Sequence, residues 1–586
     1  MEKILTNAAI FTGSTSNATQ AGIIILRIQN NHFALHTNSD IHMKKRPIKI
    51  LFLTVIIFQL VVKISAQSVS ENVITLTKKA HKGYLQDAGM MSDGNIQITY
   101  KIAGDKKKNE LFYEQYIIGK DLKLSDTKQI SEPKVDSKPD REKIFFSATV
   151  DQNMKLILER RNELQEWNTK KQQFETKKVL NKESVKAENS LGQNYYGIDQ
   201  FVDETENELV FAYVETKDKS NPKKFLFLSI DKDLKVKEIP LDISGSQSLV
   251  FSYQVPKKDE GNGINRNDII LVFAPKKTES DFSKYTLVHY DMTGKLKTKK
   301  EFGSPASNLY INSADVKNGS IYFCATSTID KDPFEKVFTD YAAILSPKFK
   351  GSRNAQMLEW EERGNQKMDN FHFLKFTGNQ MEFATTVPIK DFKAKVKKSS
   401  NGGKGEPYKG KKFDVQTFFV TPNGDYLIAG QIIDKTTLSN GDVVKTYEDI
   451  ICLHFDIAGD LKAQYVVEKM NDDQKSLLWE MPMHFYLSQD NKNVYWEIYE
   501  IKGVEGYETY KDDEDGHKTN FATYFPRIAK IELSSSNIGE FKVLGQKKYF
   551  MNRNYPGVFV PSDNSYFYFG KDEDNEKIWI GKVTFD

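Results

Sequence analysis

Residues 288–302 read VHYDMTGKLKTKKEF, and residues 453–467 read LHFDIAGDLKAQYVV. The two stretches lie 165 residues apart, yet they share His, an aromatic, Asp, Gly, Leu and Lys in register. In each, an alternating apolar strand runs into Asp, a Gly-containing turn and a second strand, which is the signature of a β-hairpin. A chain that writes one hairpin twice invites a search for further copies.

IIGKDLKLS around Asp121 and LSIDKDLKV around Asp233 share Lys-Asp-Leu-Lys. ILSPKFKG puts Ser346 where Asp291 and Asp456 stand, and LSSSNIGEFKV puts Ser534 there. The aligned turns fall at 119, 231, 291, 346, 456 and 534, and a unit of about 55–60 residues explains every interval but the last. A second, offset set of polar turns lies near 93, 152, 205, 264, 318, 378, 423, 491 and 563, within runs such as ADVKNGSIYFCA and FFVTPNGDYLIAG. Each unit then holds two hairpins, hence four short antiparallel strands.

One four-stranded sheet cannot bury both faces alone, but sheets packed around an axis bury one another. The pattern resembles the β-propeller superfamily over residues 73–586 and implies an all-β chain of four-stranded blades, eight once the unit near 378, which lacks a clear second hairpin, is set aside from the nine turns, with seven the alternative. The final unit supplies three strands, and VITLTKKA (73–80) is a lone strand near the other end. Pairing of the two would complete the last blade and hide two sheet edges. WD dipeptides, GH starts and double-Gly kelch signatures are absent.

Residues 43–68, MKKRPIKILFLTVIIFQLVVKISAQS, have the basic, apolar and small-residue regions of a Sec signal peptide. The apolar run Ile50–Val62 reaches only about 20 Å against a hydrocarbon core of ~30 Å. The expected organisation is a non-native or disordered extension over 1–42, a signal over 43–66 and one propeller over 67–586, periplasmic or secreted. Retention of 48–64 as an anchor is the alternative.

The formal charge is +3, and residues 1–66 carry seven Lys/Arg against two Asp/Glu, so the remainder is near neutral. That gives no basic face for a nucleic acid. Cys324 and Cys452 lie in apolar runs and read as buried hydrophobes.

Candidate chemistry is sparse. His289 and His454 share one slot, and His372 and His484 share the slot of FHF and MHF; both pairs read as structural. Asp291 and Asp456 read as turn caps. Asp512, Asp513 and Asp515, with Gly516, resemble part of a Ca²⁺ loop, but Lys511 breaks the pattern and a solvated acidic insertion over 502–520 is favoured. No other cofactor is expected. The segment 389–414 holds nine Lys against three acids, so 388–413 reads as a mobile insertion. Lys395, Lys397, Lys398 and Lys409 there, with Tyr507 and Tyr510 of the 502–520 insertion, are the candidate contacts to a partner. No G-x-S-x-G, Walker A, H-E-x-x-H or paired CxxC occurs. The expectation is an exported binding or scaffold module for a protein or polysaccharide of the cell envelope or exterior. The alternative is an extracytoplasmic hydrolase or lyase with carboxylates gathered in the channel.

Overall fold

A computed structural model describes residues 68–586 except 105–108, 136, 152–154, 169–172, 204–207, 216–222, 232, 244–246, 257–263, 276–280, 340–343, 345–365, 379, 438–442, 472–474, 507–519 and 546–547. The proposed extension and signal, Tyr507, Tyr510, Asp512, Asp513 and Asp515 lie outside the described residues.

Among the described residues, strands make up 62% and helices 5%. There they form eight sheets, almost all as antiparallel meanders in chain order. The N-terminal strand β1 (Ser68–Thr75) stands apart from this order. The first sheet holds β2 (Tyr84–Met90), β3 (Ile96–Ile102), β4 (Glu110–Ile118) and β5 (Leu124–Pro133). The second holds β6 (Arg141–Val150), β7 (Leu156–Asn168) and β8 (Gln173–Lys186). The third holds β9 (Tyr196–Val202), β10 (Glu208–Glu215), β11 (Lys223–Ile230) and β12 (Val236–Pro240). The fourth holds β13 (Ser248–Gln254), β14 (Ile269–Ala274), β15 (Lys284–Tyr290) and β16 (Leu296–Gly303). The fifth holds β17 (Tyr310–Lys317), β18 (Ser320–Ser327), β19 (Asn370–Thr377) and β20 (Gln380–Pro388). The sixth adds a short β21 (Val396–Lys397) outside β22 (Phe413–Val420), β23 (Tyr426–Thr437), β24 (Val443–Phe455) and β25 (Leu461–Val467). The seventh holds β26 (Met483–Leu487), β27 (Asn493–Gly506) and β28 (Asn520–Glu532), edged by β29 (Asn537–Ile538) and β30 (Lys542–Val543). The eighth holds β31 (Phe550–Met551), β32 (Gly557–Val560), β33 (Ser565–Lys571), β34 (Lys577–Thr584) and β1.

The sheets bury one another as blades do. On β14, Ile270, Val272 and Ala274 join the apolar cluster shared with the fifth and sixth sheets, while Ile269, Leu271 and Phe273 join the one shared with the second and third. Both faces being covered explains why second strands read as continuous apolar runs (IILVFA, IYFCAT) rather than alternating ones. Further clusters join the sixth sheet to the seventh, the seventh to the eighth and the eighth to the first. First strands approach one another (β13 with β17, β17 with β22, β22 with β26, β32 with β2), which sets them about a common axis. The chain is a β-propeller protein. β1 pairs antiparallel with β34 along its length, Val73 opposite Trp579.

The hairpin of the opening stretches is a fixed device. Asp291 Oδ1 accepts from Thr293 N (2.9 Å) and Lys295 N (3.1 Å), and Asp456 Oδ1 accepts from Ala458 N (2.9 Å) and Asp460 N (3.0 Å). Three residues after each Asp, the chain needs a left-handed residue: Gly294 (φ 76°) and Gly459 (φ 83°). The related turns use Leu122 (φ 65°) and Leu234 (φ 58°) at the same place. Their side chains are buried, which offsets a left-handed strain of about 1–2 kcal/mol.

Four expectations change. The turn near 378 is not the first hairpin of a separate unit. It joins β19 to β20, the third and fourth strands of the fifth sheet. A long connection, 328–369, separates β18 from β19, and Ser346 within it lies outside the described residues. The second sheet has three strands rather than four. The lone N-terminal strand ends at Thr75, and Lys78–His81 forms a helical turn capped by Thr77. The supposed mobile insertion is a packed strap. Ile389–Lys395 forms a 3₁₀ turn, β21 pairs in parallel with β25, and Ile389, Phe392 and Tyr408 are buried.

Candidate functional site

In a four-stranded meander, the first-to-second and third-to-fourth turns lie at one end of the sheet and the second-to-third connections lie at the other. The first end carries the tight repeated turns, with one longer connection, 255–268, in the fourth sheet. The second carries the long connection 328–369 and the extended pairs β7–β8, β23–β24 and β27–β28, which run 12–14 residues against six to eight for β10, β14 and β18.

At that elaborated end, between the sixth and seventh sheets, polar groups converge on the first strands. A register shift between Val415 and Thr417 leaves Gln416 as a bulge on β22, and bulges re-aim side chains. Gln416 Nε2 donates to Asp414 Oδ2 (2.8 Å) and reaches Glu480 Oε2 (3.3 Å), a residue just before β26. Tyr524 OH donates to Glu480 O (3.0 Å), and Lys445 Nζ lies 4.5 Å from the centre of the Tyr447 ring. Burial alone would depress the Lys445 ammonium, but Asp414, Tyr447 and Glu480 outweigh it and hold its pKa above the ordinary lysine value. Burial pushes the Tyr447 and Tyr524 phenols up, so both stay protonated and can donate. Two carboxylates, one ammonium, one amide and two phenols thus share a solvent-reaching cleft. Glu480 and Lys445 are exposed, the others half-buried.

On the opposite face of the seventh sheet, Glu497 is fully buried. It accepts from Tyr568 OH and Tyr486 OH (3.1 Å), and its Oε2 lies 3.0 Å from His484 Nδ1. Burial first, and then the Glu497 charge, push the Tyr486 and Tyr568 phenols well up. The His484 side chain is 46% exposed. A carboxylate holding Nδ1 leaves Nε2 as the ring's free position.

The repeated histidines sit elsewhere. His289 Nε2 lies 2.7 Å from Asp268 Oδ2, which also takes Lys297 Nζ at 2.6 Å. His454 and Lys462 meet Asp425 Oδ2 in the same way, at 3.1 and 3.0 Å. Both lysines are the residues skipped in register after the turn, so the bulge aims them at the Asp of the second strand. The two nodes are buried braces, which agrees with the structural reading of that slot. His372 and His484 are not equivalents: His372 lies on the third strand β19 and His484 on the first strand β26. FHF and MHF share letters only.

Of the lysines nominated from sequence, Lys395, Lys397, Lys398 and Lys409 are exposed along the strap. Lys409 pairs with Glu406 (2.5 Å), Lys398 donates to Gly405 O (3.3 Å) and Lys397 reaches Asn537 Oδ1 (3.5 Å). None joins the Asp414–Glu480 cluster. The sequence reading missed that cluster because its members come from three strands and one connection, with a single short-range signal, the DVQ of β22. Among the described residues no group of three His, Cys, Asp or Glu could hold a metal ion, and no helix is long and apolar enough to cross a membrane.

No family model and no curated protein matches the chain. Solved structures that align with it include an α-L-arabinofuranosidase of Fusarium graminearum (8% identity, 66% of this chain and 91% of that one, TM-score 0.24). The WD40 domain of SCAP from fission yeast aligns at 8% identity over 88% of this chain and 98% of that one, TM-score 0.22. A Synechocystis apocarotenoid oxygenase mutant aligns at 11% over 75% and 89%, TM-score 0.27. At such scores the likeness adds nothing to what the strand pairing of this chain already establishes.

Proposed function

We propose that the protein is an exported binding module that engages a protein or glycan of the cell envelope or exterior through its elaborated end. The observation that carries this reading is the asymmetry of the connections. One end carries tight turns in most sheets, the 255–268 connection of the fourth being the exception, and the other varies more widely from sheet to sheet. Loops freed from the ladder are where recognition is built on a rigid scaffold. Export rests on the signal pattern of 43–66, and a mature N-terminus at Gln67 in mass spectra of the native protein is the expected result.

The direct test is capture from envelope extract and culture fluid. The bait is compared with a variant whose β23–β24 and β27–β28 connections are cut to two-residue turns. Material retained by the intact protein should be lost from the trimmed one. Equal recovery by both would remove the elaborated end from the function.

A second reading, an extracytoplasmic hydrolase or lyase, draws on the Asp414–Glu480 pair and on His484 against Glu497. It requires turnover of an envelope glycan that Glu480→Gln or His484→Asn abolishes.

A further inference from the structure

The Asp414–Gln416–Glu480 cleft is narrower in its chemistry than a general binding face. Hydroxyl groups both donate and accept, so a surface suited to several of them offers acceptors and donors side by side. Asp414 and Glu480 supply only acceptors. Lys445 and the Tyr447 hydroxyl supply donors, while the Gln416 amide hydrogens hold the two carboxylates in place and the Tyr524 hydroxyl is held by Glu480 O. The two tyrosine rings add flat apolar walls for C–H faces. Formal charges in the cleft are two negative and one positive. An acidic ligand would meet net repulsion, and because Lys445 already offsets one of the two carboxylates, only a single net negative charge is left to draw a cationic peptide.

We propose that the cleft between the sixth and seventh sheets is a subsite for a neutral sugar ring. Its hydroxyls bond to Asp414, Glu480, Gln416 and Lys445, and its C–H face lies on Tyr447 or Tyr524. The inference rests on the elaborated end being the binding face, and it deepens that reading by naming the ligand chemistry.

The Gln416 bulge makes the site specific to this sheet. Comparable shifts on β2, β13 and β17 leave Gln86, Val250 and Asn312 at the same place. Asn312 Nδ2 instead donates inside its own sheet, to Thr326 Oγ1 at 3.1 Å. Only in the sixth sheet does the bulged amide link two carboxylates among the described residues.

The test is isothermal titration of the full chain with maltohexaose, cellohexaose, mannohexaose and chitohexaose. Hexagalacturonate serves as the acidic probe and hexalysine as the cationic one. At least one neutral hexasaccharide should bind, with hexagalacturonate tenfold or more weaker. Glu480→Ala and Lys445→Ala, both at exposed positions where the fold is not at stake, should each weaken the neutral sugar about tenfold. Lys299→Ala, on the outer strand of the fourth sheet, should leave it unchanged. The proposal is overturned if no neutral sugar binds, if Glu480→Ala and Lys445→Ala bind it as well as the parent, or if hexalysine alone binds. Should sugars fail while trimming of the hairpins still releases captured material, the sugar assignment falls and the binding face stands. Should trimming also change nothing, both fall.

Discussion

His372 is 1% exposed, with Nδ1 3.0 Å from Thr386 Oγ1 and Nε2 2.8 Å from Ser327 Oγ. Burial lowers its pKa from 6.5 to about 4. The folded state therefore prefers the neutral ring, while the unfolded chain takes up a proton below its ordinary value. Stability from this residue is complete above pH ~6.5 and is lost as pH falls toward about 4, by roughly 3 kcal/mol at the lower limit. In urea titrations across that window, His372→Gln should show a slope shallower by about one proton; an unchanged slope would contradict the assignment. A buried His on an apolar strand is legible in sequence as structural, and so is the turn-capping role of Asp291 and Asp456, because the cap and the turn it closes are neighbours in the chain. Asp268 and Asp425 were not legible. They stand 21 and 29 residues before the histidines they brace, and only pairing of the second and third strands brings them together.

At the scale of elements, the strap shows where composition misleads. Lys and Gly along 389–412 suggest a solvated loop, and the lysines are indeed exposed. The anchors that bind it down are few and have no period. Phe392 lies 6.0 Å from Phe371 and 5.8 Å from Tyr408, ring centre to ring centre. Asn401 Nδ2 donates to Phe541 O (2.7 Å), tying the strap to the seventh sheet. Phe392→Ala should cost about 3–5 kcal/mol, the usual range for a buried Phe, and open the strap to proteolysis ahead of global unfolding. Wild-type stability together with a strap cleaved as readily in the parent as in the variant would restore the reading of a loose insertion. The repeated hairpin, by contrast, was legible in outline. Its Asp, Gly, Leu and Lys are local requirements of one turn and one bulge. Misassigning the turn at 378 had a physical cause as well: a period counts residues, and the 328–369 connection lengthens the spacing between β18 and β19 within one sheet.

At the scale of the molecule, the N-terminal strand is the outer strand of the last sheet. Glu71 Oε2 accepts from Trp579 Nε1 (2.8 Å) and Gly545 N (2.7 Å), and Ile74 is buried in the cluster shared by the eighth and first sheets. A chain beginning at Thr77 should melt several degrees lower, and a synthetic peptide of residues 66–77 should raise its Tm again. Equal melting temperatures with and without residues 68–76 would deny β1 a part in holding the last sheet.

The sequence by itself determined the all-β class, the four-strand unit, the capped turns and the pairing of the first strand with the last sheet. Each rests on alternation or on contacts a few residues apart, or on a strand left over at one end and wanted at the other. Tertiary structure alone decided which strands share a sheet across a long excursion and where the lysine-rich strap runs. It also brought Asp414, Gln416, Lys445, Glu480 and Tyr524 to one cleft. Those groups meet because neighbouring sheets pack at the elaborated end, and no local pattern in the chain encodes that meeting.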